Sequence, residues 1–162
     1  MSERNIILEN LDEKDILILR TLQQNAKLTT KQVAAECHLS LTPVFERIKR
    51  LENEGYIKRY ITVLDAEKLH RGFIVFCSVR MSHMNKVVAE DFCERIRNIP
   101  EVTECYNTSG DFDYIIKVFV RNMPHYQDFV LNRLGEMESI GSVHSVFVIG
   151  TVKCLHSVPV AK

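Results

Sequence analysis

The chain has no tryptophan, few turn-forming residues and no excess of charge. Six glycines and four prolines in 162 residues exclude a collagen-like repeat and a Gly/Pro-rich disordered stretch. Twenty-one basic side chains balance 21 acidic ones. No bulk field of one sign therefore attracts nucleic acid, and a DNA site has to come from local placement. No apolar run approaches the ~18 residues of a membrane span. Met1 to Asp12 is polar and acidic, so no signal peptide is read there. The five cysteines, Cys37, Cys77, Cys93, Cys105 and Cys154, are odd in number and contain no CxxC pair, which argues against a disulfide framework or a structural zinc site. Reduced, mostly buried thiols and a cytoplasmic location are expected. The six histidines form neither an HExxH motif nor a Cys/His cluster of metal spacing. GxGxxG, Walker, GxSxG and zincin motifs are all missing, so no enzyme and no cofactor are expected. Asp111 and Asp113 share a face on extended backbone, but no nucleophile or base accompanies them at a readable spacing.

What is present divides into two halves of different period. Residues 11–55 read as three helices. Asp12 can cap the first, roughly Asp12 to Gln24, whose apolar face is Ile16, Leu19 and Leu22, widened by Leu17 and Ile18. Thr29 with Gln32 has capping-box spacing and opens a short second helix ending at Cys37. A third begins at Ser40 or Thr42, with Pro43 in its first turn, a buried stripe of Val44, Ile48 and Leu51, and Gly55 as its C-terminal stop. Tyr56 to Val63 then reads as extended.

The second half alternates strand and helix patterns: a strand from Phe73 to Met81, a helix from Asn85 to Arg97, strands over Val102 to Thr108 and Asp113 to Val120, a helix from Pro124, and a strand within Val143 to Leu155. This β-α-β-β-α-β order is the ferredoxin-like pattern. The fold class is thus α+β, a winged helix-turn-helix unit followed by a ferredoxin-like domain. The expected boundaries are 8–60 for the first domain, 61–71 for a linker and 72–156 for the second. Right-handed crossovers put both helices on one face of the sheet. Yet the first strand is apolar on both parities, Val75, Cys77 and Val79 on one and Ile74 and Phe76 on the other. A half-exposed sheet should alternate, so the bare face is expected to pack on another subunit; packing on the N-terminal half is the alternative.

A short second helix and a turn before the third is the helix-turn-helix arrangement, which sends the start of the third helix into the major groove. Ser40, Leu41, Thr42, Pro43 and, one turn on, Phe45, Glu46 and Arg47 stand there. Lys49, Arg50, Lys58 and Arg59 add positive charge suited to phosphates. Residues 42–60 hold five basic and three acidic side chains, a small surplus, and a helical domain with a merely solvated polar face stays open on this pattern alone. Arg47, off the buried stripe, is expected to serve readout with little effect on the fold.

The residues also resemble a known family. Leu11, Asp12 and Asp15, then Asn25 and Ala26, then Leu39, Ser40 and Thr42, then Arg47 to Glu52, Gly55, Ile57 and Tyr60 are similar in identity and order to the DNA-binding half of the Lrp/AsnC, or feast-famine, regulators. The run Cys105 to Tyr114, with Gly110-Asp111-Phe112-Asp113, resembles that family's amino-acid-sensing domain. The resemblance spans residues 8–155. It implies a cytoplasmic, sequence-specific transcriptional regulator that binds double-stranded DNA. Specificity is assigned to Ser40, Thr42, Pro43, Glu46 and Arg47, and affinity to Lys49, Arg50, Lys58 and Arg59. It further implies homodimers that pair sheet to sheet and assemble to tetramers or octamers, and a free amino acid bound near the turn by Ser109, Gly110, Asp111, Phe112, Asp113 and Ser145.

At the Thr-x-Thr pair frequent in the family, this chain has Val143 and Ser145, which makes one corner less polar. An apolar effector such as leucine or methionine is therefore favoured over asparagine. A ligand-independent, oligomeric DNA-architectural protein is the alternative. On local chemistry alone, a hairpin in which Asp113 caps backbone only is the favoured reading of the turn, and the resemblance is what brings the effector reading level with it.

Overall fold

The computed structural model describes residues 11–160; residues 8–10 of the expected first domain lie outside the described residues. The described chain falls into two compact units, residues 11–63 with 153–160, and residues 64–152.

In the first unit α1 (Glu13–Gln24), α2 (Thr30–Glu36) and α3 (Leu41–Asn53) pack on one another. Each of the first two starts where its side chains say it should. Asp12 and Asp15 form a reciprocal capping box on α1, and Thr29 and Gln32 form another on α2. The core is Ile18, Leu22, Val33, Ala34, Cys37, Val44 and Leu51, one stripe from each helix. His38 takes φ +53° in the turn before α3. Gly55, at φ +79° just past the helix, donates its N–H to the carbonyl of Glu52 at 3.1 Å. Residues 56–63, expected to be extended, join no ladder among the described residues. The tail returns to this unit: the Arg20 guanidinium donates to the carbonyl of Val160 at 3.3 Å, and the Gln23 amide donates to the carbonyl of Val158 at 2.6 Å and to Ser157.

The second unit is a four-stranded sheet of β1 (Phe73–Met81), β2 (Val102–Asn107), β3 (Tyr114–Val120) and β4 (Ile140–Phe147) in the order β2-β3-β1-β4, every neighbouring pair antiparallel. Helices α4 (Lys86–Arg97) and α5 (Met123–Phe129) connect β1 to β2 and β3 to β4, giving the expected ferredoxin-like topology. Val75, Cys77, Val79, Ile116 and Val118 are fully buried with Phe92 and Phe129 of the helices.

Two elements differ from expectation. The last strand runs Ile140–Phe147, starting before the expected Val143 and stopping well short of Leu155. Phe147 lies opposite Val75, and β1, which begins only two residues earlier at Phe73, has no partners for the rest of the apolar run; Val148 still donates to the carbonyl of Ile74 at 3.0 Å, while Ile149 and Val152 stand fully exposed. The last helix is α-helical only to Phe129 and then widens into one π turn, Val130–Leu134. The thiols also differ: Cys37 and Cys77 are buried, Cys93 is half-buried, and Cys105 and Cys154 are exposed.

Candidate nucleic-acid interface and candidate effector turn

Helix α3 carries four rows of side chains, as 3.6 residues per turn require. Val44, Ile48 and Leu51 form the core row, with Val44 and Leu51 fully buried. Thr42, Pro43, Glu46 and Lys49 are exposed. Ser40 occupies the N-cap position but makes no side-chain capping bond. Pro43, in the first turn, lacks an N–H where a helix has no partner for one.

Arg47 and Arg50, expected at the DNA, are also engaged within the unit itself. Asp15, only 1% exposed, is the hub of an ion-pair network joining α1 to α3. Nη1 of Arg47 lies 2.7 Å from Oδ1 of Asp15 and 2.7 Å from Oδ2 of Asp12, and Nη2 of Arg50 lies 2.5 Å from Oδ2 of Asp15. The N–H of Asp12 also donates to Asp15, at 3.1 Å. These contacts leave their mark on acidity. The hydrogen bond to Asp15 raises the Arg47 guanidinium above its ordinary value, and the same partner raises Arg50. The Asp15 N–H, with help from Arg47, holds the Asp12 carboxyl below its ordinary 3.8. A buried carboxylate without its cations is costly. The expectation that Arg47 could be lost with little change in fold is therefore corrected: its guanidinium holds α3 against the acidic end of α1.

Lys58 and Arg59 are exposed on the segment after α3. Tyr60 follows, its hydroxyl donating to Oε1 of Glu52 at 2.7 Å, with burial and that carboxylate pushing the phenol up to about 12.

In the second unit the structure gathers Ser109, Gly110, Asp111, Phe112 and Asp113 into the one turn between β2 and β3. Gly110 has φ +120°, a conformation that a side chain disfavours. Asp113 does structural duty here: its N–H donates to the carbonyl of Val79 at 2.9 Å, and its Oδ2 accepts the Met81 N–H at 2.7 Å, which ties the turn to the end of β1. Asp111 is exposed.

Ser145 is not at the turn. It pairs with Cys77 across the β1–β4 ladder, and its hydroxyl hydrogen-bonds Tyr126, whose own hydroxyl is 3.2 Å from the Cys77 sulfur. Two residues that sequence reasoning missed stand at the turn instead. The Arg80 guanidinium lies 5.4 Å from the centre of the Phe112 ring, and the His144 ring lies 6.2 Å from it. Strand register was the missing signal, since Arg80 pairs with Ser142, beside His144.

Residues 11–58 match the winged helix-turn-helix DNA-binding family, and residues 74–158 match the Lrp/AsnC ligand-binding domain. The chain belongs to the Lrp/AsnC family. It is 36% identical to the Bkd operon transcriptional regulator of Pseudomonas aeruginosa, over 92% of this chain and 97% of that one. It is 30% identical to the leucine-responsive regulatory protein of Rhizobium meliloti, over 91% of this chain and 95% of that one. A transcriptional regulator of Neisseria meningitidis, solved as an L-Met complex, is 33% identical and superposes with a TM-score of 0.89, covering 93% of this chain and 97% of that chain. The Lrp/AsnC ligand-binding match takes in all four strands of the sheet but for Phe73, and the 109–113 turn, and the winged-helix match takes in α1 to α3.

Proposed function

We propose that this chain is an amino-acid-responsive transcriptional regulator. Residues 8–60 bind double-stranded DNA, 61–71 link, and 72–156 bind the effector and hold the oligomer. The observation that carries the reading is the pairing of a three-helix DNA-binding unit, with an exposed face on α3, with a ligand-binding sheet of the same family over nearly the whole chain. Ser40, Thr42 and Glu46 face base edges, while Pro43 lies beside Asp12 and Asp15 on the side turned to α1. Lys49, Lys58 and Arg59 neutralise phosphates, and Arg47 and Arg50 stay on Asp15.

The effector turn suits a free amino acid. The backbone N–H groups of Gly110 and Asp111 take the carboxylate, and the exposed Asp111 carboxylate takes the ammonium. Ser145, bonded to Tyr126, supports the wall from the helix side. Val143 gives that end of β4 an apolar side chain, so leucine or methionine is the favoured class; the L-Met complex of the Neisseria relative supports this choice. The open sheet face, with Phe76 38% and Val146 49% exposed, pairs with a second copy, and the dimers assemble further to tetramers or octamers. The protein works in the cytoplasm, as a regulator and not as an enzyme.

Isothermal titration tests the sensing half. Methionine or leucine gives binding heat, asparagine gives less, and Asp111→Ala weakens the favoured ligand by about tenfold or more, the loss of a charge-assisted bond. Tighter binding of asparagine overturns the apolar preference. No heat with any amino acid, with DNA binding intact, turns the reading to the architectural alternative.

A further inference from the structure

We propose that α3 reads its operator through thymine methyl groups, taken by Phe45 and Leu41, and through a base amino group, taken by Glu46, with no arginine–guanine pair at Arg47. The proposal rests on the DNA-binding reading above and adds the chemistry of the site that is read.

The first two turns of a recognition helix reach base edges. Here these turns hold residues 41–48. Val44 and Ile48 belong to the core. Pro43 and Arg47 lie on the side turned to α1, where Arg47 has two carboxylates at 2.7 Å. The commonest base-specific contact in DNA recognition is an arginine held in two-point contact with guanine O6 and N7. For Arg47, that contact would strip a cation from the buried Asp15, an exchange that a single base contact does not offset. The side chains left to meet the bases are Leu41, Thr42, Phe45 and Glu46.

Leu41 is 52% exposed and Phe45 is 56% exposed, spaced four apart and so stacked in one row along the helix. The major groove offers one apolar group, the C5-methyl of thymine. Two large apolar side chains held out on the reading row find no other complement among base edges, and phosphates offer them none. Glu46, on the adjacent row, accepts hydrogen bonds and donates none when ionised. Phosphate repels it. Its partner has to be a base amino group, cytosine N4 above all. Lys49, completing the Phe45 row one turn on, is placed for a phosphate.

Phe45 also borders a groove of about 490 Å³ with Leu22, Ile48 and Tyr60. A second copy of the chain seated there is the competing use of the same ring, and the experiment separates the two.

Duplexes enriched by selection against the wild-type protein are re-synthesised with single replacements: thymine by deoxyuridine, which removes only the methyl group, and guanine by 7-deazaguanine, which removes the N7 acceptor. Affinity is read by fluorescence anisotropy. Deoxyuridine at one or more positions weakens binding about fourfold each, the fold-change for burying one methyl-sized group, and 7-deazaguanine is neutral. Phe45→Ala binds thymine and deoxyuridine duplexes equally. Glu46→Gln moves the preference at one position toward adenine, the base that a glutamine pairs with. Deoxyuridine neutral at every position, or 7-deazaguanine the costly replacement, overturns the proposal. A Phe45→Ala protein that keeps the thymine preference but falls in oligomer mass assigns the ring to a subunit contact, and the proposal fails while the DNA-binding reading stands. Selection that enriches no sequence removes that reading and the proposal together.

Discussion

Asp15 is the residue on which the DNA-binding unit turns. It lies in the first turn of α1, completes the capping box with Asp12, and meets both Arg47 and Arg50 from α3. Removing one cation leaves a buried carboxylate partly uncompensated. Arg47→Ala is therefore expected to lower unfolding free energy by about 1–3 kcal/mol, less than for a fully orphaned charge because Arg50 remains; urea titration measures it, and an unchanged midpoint contradicts the network. Asp12 adds an acid dependence. Its folded carboxyl titrates below its ordinary 3.8, so its stabilisation is full above that value and is lost as pH falls through the lower folded one. The gap between wild type and Asp12→Asn is accordingly expected at neutral pH and to close in strong acid. The sequence showed that Asp12 caps and that Arg47 lies off the core stripe. It did not show that the two meet, because an ion pair between residues as far apart in the chain as Asp12 and Arg47 depends on how α1 and α3 cross, which periodicity does not encode.

Elements were legible where a local rule decides them. The capping boxes at Asp12 and Thr29, Gly55 past α3 and the limits of β1 follow from side chains within a few positions. The misplaced ends have a common physical origin. The β4 pattern runs on through Val148 and Val152, yet a strand continues only while a neighbour supplies backbone partners, and β1 has none to give before Phe73. The helix begun at Met123 keeps its apolar spacing through Val130 and Leu134, but hydrophobic spacing does not distinguish an α turn from a π turn. At the turn between β2 and β3 the run from Ser109 to Asp113 was legible as a unit. Its neighbours Arg80 and His144 come from β1 and β4, and only the register of the sheet brings them to Phe112.

At the scale of the molecule, the sheet has one face beneath α4 and α5 and another that carries Phe76, Phe119 and Val146 around Lys117. The Lys117 ammonium lies 3.0 Å from Oε1 of Glu104 and over the rings of Phe76 and Phe119. A charge already paired within one copy costs less to cover than an open one, and the apolar residues around it supply the driving force. Light scattering is expected to give a dimer or a higher even number, and Val146→Glu a lower mass; a wild-type monomer contradicts the open-face argument.

Under the proposed function, an amino acid bound in the second unit changes DNA binding by the first, because it favours one assembly over another. It is tested most directly by titrating the full-length protein on a selected duplex with and without saturating L-methionine, L-leucine or L-asparagine. Methionine or leucine is expected to shift the DNA dissociation constant by about 5-fold or more, within the usual range of coupling energies, and asparagine to leave it in place. Superimposable curves under all conditions would contradict it.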